Sequence, residues 1–395
     1  MKIIGCVSLK RIPILLTVLV ITVVGLSLIS VPVAAARVGT CETTKSYSTD
    51  IAFQSCVVSG GYVYCVGGYN NFIISGAVYY AKLSSAGVGT WKLSSANPYP
   101  INLDGESCVV SGGYVFCVGG YTGVSPYFTN AVYFAKLSSA GVGTWNPTTS
   151  YPTIIGFQSC LVSGGYVYCV GGRTDVSPYI INAVYYAKLS STGVGTWMST
   201  TIYPTTIDSQ SCVVSGGYVY CVAGFPGVAA DTNAVYFAKL SSSGVGTWMS
   251  TTIYPTGINA QSCVVSGGYV YCVAGFPGGA ADASAVYFAK LSSSGVGTWR
   301  EATNSYPTTI EALSCVVSGG NIYCVGGSLN GGPGTSAVHF AKLSSSGVGT
   351  WRSTTAYPIA TDDQSCVVSG KHAYCVGGET SVSPYVTSAV YFASV

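Results

Sequence analysis

Fourteen of the sixteen cysteines in this 395-residue chain fall into seven pairs, each with eight residues between the partners. They are Cys56 and Cys65, Cys108 and Cys117, Cys160 and Cys169, Cys212 and Cys221, Cys263 and Cys272, Cys315 and Cys324, and Cys366 and Cys375. A two-residue turn, Gly60-Gly61 in the first pair, lies at the centre of each interval. Counting outward from it sets Ser59 opposite Tyr62, Val58 opposite Val63, Val57 opposite Tyr64, and Cys56 opposite Cys65. Pair types alternate from the turn, so the cysteines occupy a non-hydrogen-bonded pair with Cα atoms about 4.5 Å apart, at the short end of the range a disulfide bridges. The chemistry expected of these thiols is therefore oxidation within seven hairpins. A zinc site fits poorly, because one hairpin offers two thiolates where structural zinc takes four ligands. Each bridge closes a short loop and is expected to contribute nearer about 2 than 4 kcal/mol. Cys41 has no partner in this scheme and stands where the repeat elsewhere places tryptophan, which reads as a core substitute, with intermolecular pairing as the alternative.

Other reactive groups are sparse. Of the two histidines, His339 replaces a tyrosine of the repeat, as at Tyr185, and His372 follows the turn Gly370-Lys371. Neither has a partner at ligand spacing, so both read as structural or solvated. The nearest carboxylates, Asp362 and Asp363, are consecutive. In extended chain they would point to opposite sides and could not converge as an acid and a base. No catalytic residue, metal or cofactor is expected.

The elements that carry the cysteines repeat with them. The first cysteine of each unit recurs every 51 or 52 residues, and seven units fill the chain beyond its N-terminus. Each unit reads as a hairpin, SCVVS and YVYCV in the first, then a glycine doublet. A third β-rich run follows (77–81), then a glycine-containing turn (84–89) and a short fourth strand around Thr90-Trp91. Valine, tyrosine and cysteine occupy both faces of these strands, as a sheet packed between two neighbours requires. A repeat of this length with four short antiparallel strands is a propeller blade. The last unit ends after its third strand, and Val38-Gly39-Thr40-Cys41 matches Val348-Gly349-Thr350-Trp351. The expected fold is thus all-β, a seven-bladed β-propeller over residues 37–395, with residues 37–43 completing the last blade and closing the ring.

Residues 1–36 read as a separate segment. Lys2, Lys10 and Arg11 precede an uncharged apolar stretch, 12–36, that ends in three alanines. This is the pattern of a cleaved signal peptide, and it is also long enough for an N-terminal membrane anchor. Both readings place the rest outside the cytoplasm, where disulfides persist. Removing 1–36 leaves thirteen basic residues against thirteen acidic ones. A neutral total with no evident basic stripe argues against nucleic acid as a partner.

The units resemble kelch repeats. The glycine doublets (Gly67-Gly68, Gly119-Gly120, Gly171-Gly172, Gly326-Gly327, Gly377-Gly378), the third-strand aromatics, the fourth-strand tryptophan and the Tyr-Pro pairs such as Tyr151-Pro152 carry the likeness over residues 38–395. Units four and five depart from it with Ala223-Gly224 and Ala274-Gly275, the spacing from Tyr80 to Trp91 is long, and paired cysteines are foreign to the pattern. The resemblance implies a propeller used for binding. It also implies two enzymatic alternatives, a copper oxidase, for which two scattered histidines are a poor match, and a sugar mutarotase.

In a four-stranded blade, the first and third turns emerge on one face and the second turn and blade connections on the other. The first face repeats Ser-Gly-Gly and Lys-Leu-Ser-Ser-x-Gly-Val-Gly almost unchanged, whereas the second-to-third loops differ in every unit. Three of those loops contain Val-Ser-Pro-Tyr, and one opens with an arginine. Tyrosine joins a large apolar face to a hydrogen-bonding tip, so exposed tyrosines suit a sugar or a protein anchor. The candidate ligand-binding residues are Tyr121, Tyr127, Arg173, Tyr179 and Tyr385. The expected function is an extracellular or cell-surface module that recognises a protein or glycan through the variable face, with a structural envelope protein as the alternative.

Overall fold

The computed structural model describes residues 42–394, apart from 48–49, 71–72, 85–86, 228–229, 279–280, 354–355, 357–358 and 381–384. The expected leader or anchor, residues 37–41 and Cys41 lie outside the described residues. Val38–Val395 forms one compact unit. The described residues contain strands and no helix.

In the first blade Ser55–Ser59 pairs with Tyr62–Val66, and this second strand pairs with Val78–Ser84, all antiparallel. The third strand carries two short partners, Gly87–Val88 near its end and Lys92–Leu93 alongside Tyr79 and Tyr80. The fourth strand therefore starts one residue after Trp91 rather than around Thr90-Trp91. The reason is packing: the indole turns into the blade interface, meets Tyr47 edge-on at 4.8 Å, and donates from Nε1 to the Lys45 carbonyl at 2.8 Å. The same sheet is found in six blades and the last blade has four strands among the described residues; each first strand touches the first strands of both neighbours, so the innermost strands close into a ring around a channel.

Closure of the ring falls where the repeat requires it. Glu42–Thr43 pairs with Val390–Ser394, Glu42 opposite Phe392 and Thr43 opposite Tyr391. Lys92–Leu93 takes the same register on Tyr80 and Tyr79. Only 42–43 of the expected closing segment 37–43 are within the described residues.

Apolar side chains on both faces of a blade are explained by seven layers, one between each pair of neighbours. Tyr64, Val66 and Tyr80 of the first blade pack against Val115, Cys117 and Trp145 of the second. Full burial of such a side chain is worth about 1.5–3 kcal/mol. Polar groups stitch the same layers. The Tyr64 hydroxyl donates to the Ser138 carbonyl of the next blade at 2.8 Å, and Tyr374 reaches Ser84 in the same way across the closure. At the channel side, Gln158 Nε2 donates to the Val118 carbonyl and Gln54 Nε2 to the Val376 carbonyl, each at 2.8 Å.

All seven expected disulfides are present, each between directly opposed residues with Cα atoms 4.1 Å apart. The glycine doublets admit the neighbouring connection: a Cβ on Gly119, at φ +64°, would lie 2.3 Å from the Ile155 carbonyl oxygen. Where alanine replaces the first glycine, at Ala223 and Ala274, it keeps a positive φ (52° and 55°), and the second strand runs on through a register shift to Gly224 and Gly275.

Candidate functional site: the channel mouth on the variable face

Each blade connection enters its first strand through a residue in the left-handed region: Phe53, Gly105, Phe157, Ser209, Ala260, Ala312 and Asp363, with φ between 49° and 61°. Six of the seven are not glycine, although this conformation costs an L-residue roughly 1–2 kcal/mol. Neighbours in this ring touch through the backbone, as where the Phe157 amide donates to the Gly105 carbonyl at 3.0 Å and Ala312 to Ala260 at 3.2 Å. The residue before each one bridges to the residue after the glycine doublet: Asp104 to Tyr121, Gly156 to Arg173, Asp208 to Phe225, Asp362 to Glu379. Two linked rings of non-repeating residues thus frame the channel where the variable loops emerge. The channel behind them, about 570 Å³, is walled by cysteine and valine of the first strands.

Within this frame lies a pocket of about 450 Å³ lined by Phe53, Tyr69, Tyr121, Phe157, Asp104 and Glu379, with Ile74 and Gly123 at its edge. Burial lifts the Asp104 carboxyl to about 6. Glu379 is also raised, by burial and by the neighbouring Asp362. A second cavity of about 670 Å³ lies between the loops of the third and fourth blades, lined by Arg173, Tyr179, Ile180, Phe225 and Pro226.

The sequence candidates separate accordingly. Tyr121 lines the mouth pocket, and the exposed Tyr127 stacks on it with centroids 6.1 Å apart. Arg173 pairs with the fully buried carboxylate of Asp208 at 2.5 Å and lies 5.7 Å from the Phe157 ring, so its charge is matched within the protein. It shares the second cavity with Tyr179. Tyr385 is exposed on the last blade, with its carbonyl accepting from the Thr380 amide. Among the described residues, no ring contact or hydrogen bond joins it to the other four. The Val-Ser-Pro-Tyr loop of the second blade is tied down, because Thr122 Oγ1 donates to the Val124 and Pro126 carbonyls and Asp175 accepts from the Tyr127 amide at 2.7 Å. Phe53, Tyr69, Asp104, Phe157 and Glu379 were not expected. Phe53, Asp104 and Phe157 lie just before the first-strand Ser-Cys, where residues change from unit to unit, and Tyr69 and Glu379 open two of the variable second-to-third loops.

Two sequence expectations are corrected. Asp362 and Asp363 do converge: with Glu379 they bring carboxylate oxygens within 4.8 Å of one another, because Asp363 sits at φ 49° and not in extended chain. Such a trio suits a hard cation. Burial, with the Asp362, Glu379 and Glu311 charges, lifts Asp363 to about 7. The neutral total charge also hides a segregation. Asp104, Asp175, Asp208, Asp231, Asp282, Glu311, Asp362, Asp363 and Glu379 all belong to the variable face, whereas the third-strand lysines form a basic ring at the other.

Glu106 is a further buried carboxyl. Glu106 takes the place of Gln54 and Gln158, and burial pushes its acid well above the ordinary range. A carboxyl with a raised folded pKa binds its proton more tightly than in the unfolded chain, so stability is greatest below the unfolded value and falls as pH rises through the folded one. Asp104 and Asp363 act with the same sign. Thermal unfolding is expected at higher temperature at pH 5 than at pH 8. Glu106→Gln should raise the pH 8 midpoint by restoring a donor to the Val66 carbonyl, a gain of about 1 kcal/mol, and flatten the pH dependence. An unchanged pH 8 midpoint in the variant would contradict this.

No protein-family model matches the chain, and no curated protein does. Among solved structures, the one titled "Structure of YjhT" superposes with a TM-score of 0.60 at 13% identity, over 78% of this chain and 99% of that one. At that identity the likeness is one of fold, a propeller. It does not assign the chain to the kelch family.

Proposed function

We propose that this propeller is an exported binding module that takes a neutral glycan at the channel mouth of its variable face. The observation that carries the reading is the pocket in which Phe53, Tyr69, Tyr121 and Phe157 surround a space bordered by Asp104 and Glu379. Aromatic faces cover the apolar C–H faces of a sugar ring, and carboxylates accept hydrogen bonds from its hydroxyls. The carboxylates crowded around the mouth disfavour an acidic sugar, since like charges in a partly desolvated site repel. Disulfide-bonded hairpins fit an oxidising compartment outside the cytoplasm.

A sugar-converting activity is the second reading. Asp104, lifted to about 6, shares the pocket with Glu379, and a carboxyl with a pKa near working pH is suited to proton transfer. Screening the exported protein on an array of neutral and acidic glycans, then following any bound sugar by NMR, separates the two. Binding of a neutral glycan with no conversion supports the module; conversion supports the enzyme; preference for acidic glycans contradicts the pocket assignment.

A further inference from the structure

The monotonous face has a charge pattern of its own. Lys82, Lys136, Lys188, Lys239, Lys290 and Lys342 take one register in six blades, each in the third strand opposite the residue that follows the first turn. All six are exposed, and Lys371 adds a seventh exposed cation in the turn of the last blade. Among the described residues none of them is joined to a carboxylate, the only ion pair being Arg173–Asp208 on the opposite face. Between the lysines lie Ser-Gly-Gly turns and serine-rich loops with no carboxylate. The result is a ring of cations with no carboxylate partner among the described residues, on a protein whose total charge is close to balanced.

We propose that this face docks on an anionic phospholipid surface. A single polyanionic strand is best met by a groove or a linear stripe of cations. Seven cations spread around one end of the ring of blades match a plane of headgroups instead, with each lysine adding to the attraction within a Debye length of the surface. The course of the chain agrees. Glu42–Thr43 runs antiparallel to Val390–Ser394, with Glu42, the first described residue, nearer the lysine-bearing end and Thr43 farther from it. Docking in this sense presents the channel mouth and the variable loops away from the membrane. The inference does not depend on which ligand the mouth takes.

The test uses residues 38–395, the unit whose seven blades and seven disulfides are self-contained. It is sedimented with vesicles of phosphatidylcholine alone and of phosphatidylcholine with an equal part of phosphatidylglycerol. Binding is expected to the anionic vesicles only and to be lost as salt is raised. The fourfold variant Lys136→Gln, Lys188→Gln, Lys239→Gln and Lys290→Gln should bind about tenfold more weakly or worse. These side chains are exposed, so its unfolding temperature should match the parent. As a second variant, Lys371→Gln alone should weaken binding measurably, which keeps the test open if the fourfold variant misfolds. Equal binding to both vesicle types, unchanged binding of the variants, or tighter binding to soluble dextran sulfate than to anionic vesicles of equal charge would overturn the proposal.

Discussion

Full reduction of the seven disulfides is expected to unfold this protein at temperatures where the oxidised form is intact. Each bridge joins residues nine apart in sequence, and closing so short a loop in the unfolded chain is worth about 2.5 kcal/mol. Seven such terms approach about 17 kcal/mol, as large as the whole net stability of an ordinary domain. The bridges also act where they are most needed. Each ties the innermost strand of its blade, a five-residue element with half-buried side chains, to a second strand that is almost fully buried. The check is circular dichroism on protein denatured and refolded with and without reductant. The oxidised form should regain its β signal and cooperative unfolding, and the reduced form should not. Recovery of the same midpoint in both would mean that the inter-blade layers alone hold the ring.

The second large effect is on binding. Tyr121 and Phe157 face the mouth pocket from two different blades. Truncating a buried aromatic anchor costs about 2 kcal/mol or more, roughly thirtyfold in affinity. Tyr121→Ala with Phe157→Ala should therefore weaken glycan binding about thirtyfold or more. Phe157 is partly exposed and Tyr121 sits in a loop start, so the fold should survive both changes. Tyr127→Ala should have a smaller effect, because Tyr127 stacks on Tyr121 from outside the pocket. Tyr179→Ala should alter the second cavity and leave the mouth unchanged.

Much of the fold was legible in the sequence because its rules are local or periodic. Strand pairing counted from Gly60-Gly61 yields the Cys56–Cys65 register, and the structure places those residues directly opposite. Ring closure was legible from the displaced Val-Gly-Thr segment, and Glu42–Thr43 pairs where that match requires. The candidate site was less legible. Tyr121 was singled out because its loop breaks the repeat, whereas Phe53 and Phe157, two repeats apart in sequence, come together only when the blades close into a ring. The convergence of Asp362 and Asp363 turned on the sign of one φ angle, which residue type does not dictate for aspartate. The lysine ring was present in every Lys-Leu-Ser, but a total charge cannot reveal which end of a blade each charge occupies.

The most direct test of a binding module with its site at the channel mouth is one comparison on the disulfide-bonded protein. Affinity for the best neutral glycan of the array is measured for the parent, for Tyr121→Ala with Phe157→Ala, and for Ser242→Ala with Ser293→Ala in the exposed loops of the opposite face. The expected result is loss of about thirtyfold or more in the aromatic variant and no change in the serine variant, with both unfolding at the parent temperature. Retained affinity in the aromatic variant, or its loss in the serine variant, would contradict a site at the channel mouth.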